Sequence, residues 1–162
     1  MSKIEKNINR EGFTLLELIT VILILGVMAS FVAVKFLSIS AANLYSETDV
    51  IKSHLRYAQT RAMNTNSVWG INISSTTQYS LFQNGNTSNV VILPGQEMST
   101  VTLPTGVNFS SSTLGVVSFD TWGKPYSDAA GTIPPSVSRV ITLVYGGDTK
   151  SITITQNTGF IP

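Results

Sequence analysis

GFTLLELITVILILGVMASFVAV, residues 12–34, is the stretch on which the fold turns. From residue 18 to residue 34 it holds no charged side chain, and with Phe13 to Leu16 added it approaches the ~20 apolar residues that cross a bilayer core. Three readings compete for such a run: a cleaved secretory signal, a signal anchor and a buried core helix. A signal-peptidase cut could follow Ala29 or Ala33, yet the run exceeds the ~7–15 residues of an ordinary signal core. Length also disfavours a buried helix of a small domain. Lys3, Lys6 and Arg10 precede the run, so the positive-inside tendency keeps residues 1–12 cytoplasmic and sends the chain beyond Lys35 outward.

Glu17 stands at the edge of this oily segment. An uncompensated carboxylate in hydrocarbon costs about 2–3 kcal/mol near the bilayer centre and less near the interface. No cation of the segment lies a helical turn away, so the charge must reach water or meet a positive group from another chain. An amine released by proteolysis between Gly12 and Phe13 would be such a group.

Gly12-Phe13-Thr14-Leu15-Leu16-Glu17-Leu18 resembles the prepilin peptidase site of type IV pilins and type II secretion pseudopilins. The resemblance implies cleavage after Gly12 by a membrane aspartyl peptidase and N-methylation of the new first residue, Phe13. It also implies that Glu17, fifth in the mature chain, neutralises the Phe13 amine of a neighbouring subunit during filament assembly. Such cleavage removes three of ten cations and two of nine anions, leaving seven of each. Many relatives carry a proline a turn or two after the mid-segment glycine; here Val32, Ala33 and Val34 stand there, and Gly26 alone weakens the helix, by about 1 kcal/mol relative to Ala.

Beyond Lys35 the apolar residues Leu37, Ala41, Leu44, Ile51, Leu55, Ala58 and Ala62 recur at helical spacing. Glu47, Asp49, Lys52, Arg56 and Gln59 occupy other sides, as a solvated face whose charge pairs are worth only tenths of a kcal/mol. Asn64-Thr65-Asn66 reads as the stop, so one helix is expected from Phe13 to about Asn64, at 1.5 Å per residue roughly 75–80 Å long. Its first half would lie in lipid or a filament core and its second half on a globular head, the lollipop shape of pilins.

From Ser67 the apolar period shortens to about two: Trp69, Ile71 and Ile73, then Tyr79 and Leu81 beside Phe82, then the turn signal Asn84-Gly85-Asn86. Further strands are expected at residues 90–93, 101–103, 107–109, 115–119, 139–145 and 150–155, with a tight hairpin at Gly146-Gly147-Asp148 and a loop at Pro134-Pro135. No second helical segment alternates with them, which disfavours a parallel doubly wound sheet. The expected fold is therefore α+β, and the resemblance implies that it is a type IV pilin fold. Its parts are a leader at 1–12, a transmembrane or filament-core helix at 13–35, an amphipathic helix at 36–66, and at 67–162 a mainly antiparallel β-rich head.

Two further segments resemble minor pseudopilins of the GspH and FimT type: HLRYAQTRAM at residues 54–63 and VSFDTWGKP at residues 117–125, with the terminal ITITQNTGFI at 152–161 similar to the closing strand of that domain. Asp120 and Lys124 read as a braced turn rather than an acid–base pair. His54 lacks a companion that would make a metal site. The hydroxyl-rich segments 74–77 and 110–113 have no paired base and read as loops. Trp69 and Trp122 read as core residues of a β-rich head, with exposed binding anchors as the alternative for each.

The chain has 162 residues, 43 % of them hydrophobic and 12 % charged, and a formal charge of +1. That rules out charge-driven disorder and leaves no field to recruit nucleic acid. The absence of cysteine excludes disulfides and thiolate metal sites. No catalytic residues, cofactor or metal are expected. The resemblance implies a minor pilin or pseudopilin of the bacterial inner membrane, single-pass with its head in the periplasm, that joins or primes a type II secretion pseudopilus or a type IV pilus. Its partners would be other pilin or pseudopilin subunits, the prepilin peptidase and the inner-membrane assembly platform. The alternatives are a DNA-binding minor pilin and a pilus-associated adhesin. DNA binding is disfavoured because residues 151–162 hold no cation and the β-rich head offers only Lys124, Arg139 and Lys150.

Overall fold

The computed structural model describes residues 13–162, except for the side chains of residues 30–41. The leader with Gly12, and the expected stripe residues Leu37 and Ala41, lie outside the described residues and side chains. The chain divides into two compact units between Ser38 and Ile39. One helix, α1 (Leu15–Thr65), enters both. Among the described residues no helix is long and apolar enough to cross a membrane; the apolar run continues through residues 30–34, beyond the described side chains.

In the first unit, the large apolar side chains from Leu15 to Met28 are 45–78 % exposed. This part of α1 is oily all round rather than striped, the pattern of a helix that needs apolar surroundings. In the second unit α1 does carry a stripe: Leu44, Ile51, Leu55, Ala58 and Ala62 are all buried. Burial of each leucine or isoleucine stabilises the unit by about 1.5–3 kcal/mol. Thr48 stays on this face by donating its hydroxyl to the Leu44 carbonyl at 2.7 Å. The helix stops at Asn66, whose backbone is left-handed, a conformation Asn tolerates at helix ends.

Nine strands come after the helix. β1 (Trp69–Ser75), β2 (Gln78–Gln83), β3 (Asn86–Val91), β4 (Thr100–Thr102), β6 (Gly115–Phe119) and β7 (Pro125–Tyr126) form one sheet in the order β3-β2-β1-β6-β7, with β4 also paired to β2. β5 (Asn108–Phe109), β8 (Arg139–Tyr145) and β9 (Asp148–Ile154) form a second sheet in the order β5-β8-β9. Every pairing is antiparallel. The β1–β6 register sets Trp69 opposite Phe119 and Ile71 opposite Val117. All four side chains join one core with Tyr79 and Leu81 of β2, Ile141 and Leu143 of β8, Ile152 and Ile154 of β9, and the α1 stripe. Tyr79 meets Phe109 edge to face at 5.8 Å. The α+β architecture, a long helix against antiparallel sheet, is thus the expected one.

The bounds of β4, β5 and β9 differ by one or two residues from the expected 101–103, 107–109 and 150–155, and three differences go further. The strand expected at 90–93 runs instead from Asn86 to Val91. Its first residues show no apolar alternation because β3 is a largely exposed edge strand, where burial imposes no pattern. Residues 92–93 lie past its end, yet Leu93 is buried. β7 was not expected; it is a two-residue edge pairing with β6 that begins on a proline, which edge strands accommodate. Residues 111–113, read as loop, form a short 3-10 turn.

Candidate assembly surface

Phe13 precedes the first helical turn and is 81 % exposed. Thr14 is the N-cap: its Oγ1 accepts the amide of Glu17 at 3.2 Å, and its carbonyl accepts the amides of Glu17 at 3.1 Å and Leu18 at 3.2 Å. Thr14-Leu15-Leu16-Glu17 is also the sequence of a capping box, so the helix has its start signal directly after Phe13. This signal was present in the sequence and is the functional feature that reading for charge alone misses. Glu17 lies exposed in that first turn, where the unpaired amides favour a carboxylate. Among the described residues it has no ion-pair partner. Phe13 and Glu17 are brought to the same helix end, and the oily surface of α1 begins with them. The arrangement combines an exposed aromatic residue just before the helix, a carboxylate one turn on, and an apolar rod whose described large side chains are exposed.

In the second unit, the 120–124 turn is braced by its carboxylate as expected. Asp120 Oδ1 accepts the amides of Trp122 at 2.8 Å and Lys124 at 2.9 Å, and Oδ2 accepts the Tyr126 hydroxyl at 3.2 Å. From the α1 side, the Gln59 amide donates to the carbonyls of Gly123 at 2.8 Å and Gly159 at 3.0 Å, tying this turn to the C-terminal segment. Arg56 adds a bond to the Ile161 carbonyl at 2.9 Å. The reading of Trp122 as a core residue is corrected: it is 83 % exposed, the most exposed of the described large apolar side chains, because the turn that holds it points it away from both sheets. Trp69 is buried as expected, with its indole donating to Thr65 Oγ1 at 2.7 Å and the Arg61 guanidinium 4.9 Å from its ring.

His54 is buried, with Nδ1 2.9 Å from the Tyr79 hydroxyl. Burial holds its pKa below the usual imidazole value, opposed by a bond from the ring to the Pro94 carbonyl. Burial and the nearby Glu47 carboxylate push the Tyr79 phenol up. Among the described residues no group of His, Cys, Asp and Glu could hold a metal ion. Ser110 and Ser112 bond each other at 3.1 Å, the Thr113 hydroxyl accepts the Thr142 amide of β8 at 3.0 Å, and Ser75 accepts the Thr77 amide at 3.3 Å. No base of the described residues reaches them.

A family model described as the prokaryotic N-terminal methylation motif matches residues 7–33. A sequence comparison with curated proteins gives no match. Among solved structures, the chain is similar to the type IV minor pilin FimU of Pseudomonas aeruginosa, at 15 % identity over 75 % of this chain and 88 % of that one, with a TM-score of 0.55. It is also similar to the minor pseudopilin EpsH of the type 2 secretion system of Vibrio cholerae, at 10 % identity over 74 % of this chain and 94 % of that one, with a TM-score of 0.52. The chain thus carries an N-terminal methylation motif at residues 7–33 and shares the fold of these minor pilin and pseudopilin structures.

Proposed function

We propose that the protein is a minor pilin or pseudopilin, a structural subunit with an assembly role and no catalytic one. In this reading a membrane peptidase cuts after Gly12, Phe13 becomes the methylated first residue, and residues 13–35 hold the chain in the inner membrane with its head outside. Glu17 then accepts the Phe13 amine of a neighbouring subunit as helices leave the bilayer through the assembly platform. One observation carries this: the methylation motif matched at residues 7–33 includes Glu17, four residues after Phe13 and the only charged side chain of residues 13–34, at the capped start of a helix whose first part is oily on all sides. Such a rod is buried either by lipid or by like rods, and the carboxylate–amine pair removes the charge penalty of passing from one to the other. The same step serves a secretion pseudopilus or a surface pilus.

The test is mass spectrometry of the mature protein from cells that carry the assembly machinery, together with a count of the chain in the sheared fibre fraction. The expected result is an N-terminus at methylated Phe13, and a Glu17→Gln variant that is still cleaved but enters fibres at least about tenfold less. A retained Met1, or a Glu17→Gln chain incorporated as well as the parent, overturns the reading.

A further inference from the structure

The single Asn–Gly step of the sequence, Asn84–Gly85, lies at the tip of the β2–β3 hairpin. Both residues have left-handed backbone, φ +57° and +66°, the geometry of a two-residue hairpin turn. An Asn–Gly step is also where an asparagine side chain cyclises most readily, because glycine has no Cβ to shield its amide nitrogen. In a turn of this type the amide of the second central residue ordinarily faces water. Here the Gly85 amide instead donates to the Val68 carbonyl at 3.1 Å. The Asn84 side chain is held as well, its Oδ1 accepting the Ser67 hydroxyl at 2.8 Å. Ser67 and Val68 belong to the link from α1 to β1, and the 129–131 loop backs both them and the turn. A Cβ added at Gly131 would stand 3.1 Å from a Val68 methyl, and one at Gly85 would stand 3.4 Å from the Ala129 carbonyl oxygen. Asp128 fixes that loop: its Oδ1 accepts the amides of Thr132 at 2.9 Å and Ile133 at 2.8 Å, and its carbonyl accepts the Ser118 hydroxyl at 2.6 Å.

We propose that Asn84 is a latent modification site, an asparagine whose conversion to aspartate and isoaspartate needs only water and is held off in the folded chain by the Ser67–Val68 clasp. In that reaction hydroxide takes the Gly85 amide proton and the nitrogen bonds to Asn84 Cγ. The Cγ–Nδ2 bond breaks as ammonia leaves with a proton from water, and a second water opens the resulting succinimide at either of its two imide bonds. The clasp opposes the first two events. An N–H donated to the Val68 carbonyl is withheld from hydroxide, and the side-chain amide must give up its bond to Ser67 before Cγ can swing onto the nitrogen. The Ser67 hydroxyl also polarises the carbonyl it holds, but polarisation achieves nothing while the nitrogen keeps its proton. The reaction therefore waits on local opening between the α1–β1 link and the hairpin. Its product places a carboxylate at the turn, and the isoaspartate form adds a backbone carbon between the paired Gln83 and Asn86. This chemistry is independent of the assembly role proposed above.

The test ages the full chain in detergent and mildly alkaline buffer, with and without denaturing urea, and follows residue 84 by peptide-mapping mass spectrometry with isoaspartate labelling. Expected is conversion at least about tenfold slower in the folded chain than in urea, with the Gly85 amide protected from hydrogen exchange. Ser67→Ala should speed conversion at least about threefold in the folded chain and leave the rate in urea unchanged. Ser67→Thr, which keeps the hydroxyl, should match the parent. Equal rates in buffer and urea, a freely exchanging Gly85 amide, or a folded Ser67→Ala chain that converts no faster than the parent overturn the proposal. If Ser67→Ala does not fold, the parent's rates in buffer and urea, taken with Gly85 exchange, decide it.

Discussion

Nδ1 of His54 on α1 and the phenol of Tyr79 on β2 lie 2.9 Å apart, a polar contact that joins helix to sheet beside the apolar core. The ring also bonds the Pro94 carbonyl, and a neutral imidazole has one N–H; donating it there leaves Nδ1 to accept from the phenol. In that arrangement the pair is satisfied with both groups neutral.

That sets a pH window for stability. His54 titrates below its unfolded value of about 6.5, so its neutral form is favoured by folding; the contribution is complete above about pH 6.5 and is lost as pH falls toward the depressed folded value. Tyr79 titrates above its unfolded value of about 10, so its contribution is complete below about pH 10 and is lost as pH rises further. Denaturant melts should show a plateau between these limits and falling midpoints outside them. His54→Gln, which cannot titrate, should flatten the acid limb.

Gln59 is the strap between the Trp122 turn and the C-terminal segment. Gln59→Leu leaves the Gly123 and Gly159 carbonyls without their donor, and the half-buried setting sets the loss at about 1–2 kcal/mol. Equilibrium unfolding of the full chain in detergent should register it, with greater hydrogen exchange at residues 120–124.

Gly159 is more demanding. A Cβ there would run into the Gly123 carbonyl, and the backbone is left-handed at φ +66°. Gly159→Ala should destabilise by at least about 1 kcal/mol from the conformation alone, more with the clash, while Gly26→Ala, with open space around the added methyl, should not. Thermal melts of the two variants provide the comparison.

At the other end of the helix, Thr14→Ala removes the side-chain acceptor for the Glu17 amide and should cost the first turn about 1 kcal/mol. Amide exchange in micelles should speed up at residues 16–18 and not at 50–60.

The motif and the architecture were legible in the sequence for local reasons. A lone carboxylate in an oily run, the helical spacing of Leu44, Ile51, Leu55, Ala58 and Ala62, and the period of two in β1, β6 and β8 are read from neighbours a few residues apart. β3 was displaced because an exposed edge strand carries no such period, and β7 was missed because two residues are too few to show one.

What the sequence determined by itself was the α+β layout and the chemistry of its N-terminal end, since chain-local periodicity and charge dictate both. The tertiary structure decided which tryptophan is core and which is a knob, and gave His54 its partner. Trp69 and Trp122 are the same side chain, separated only by whether Ile71 and Ile73 continue the inward face or a carboxylate turns the chain outward. The His54–Tyr79 contact spans 25 positions and two elements. Contacts of that kind exist only once the helix stripe has closed on the sheets, and no spacing along the chain encodes them.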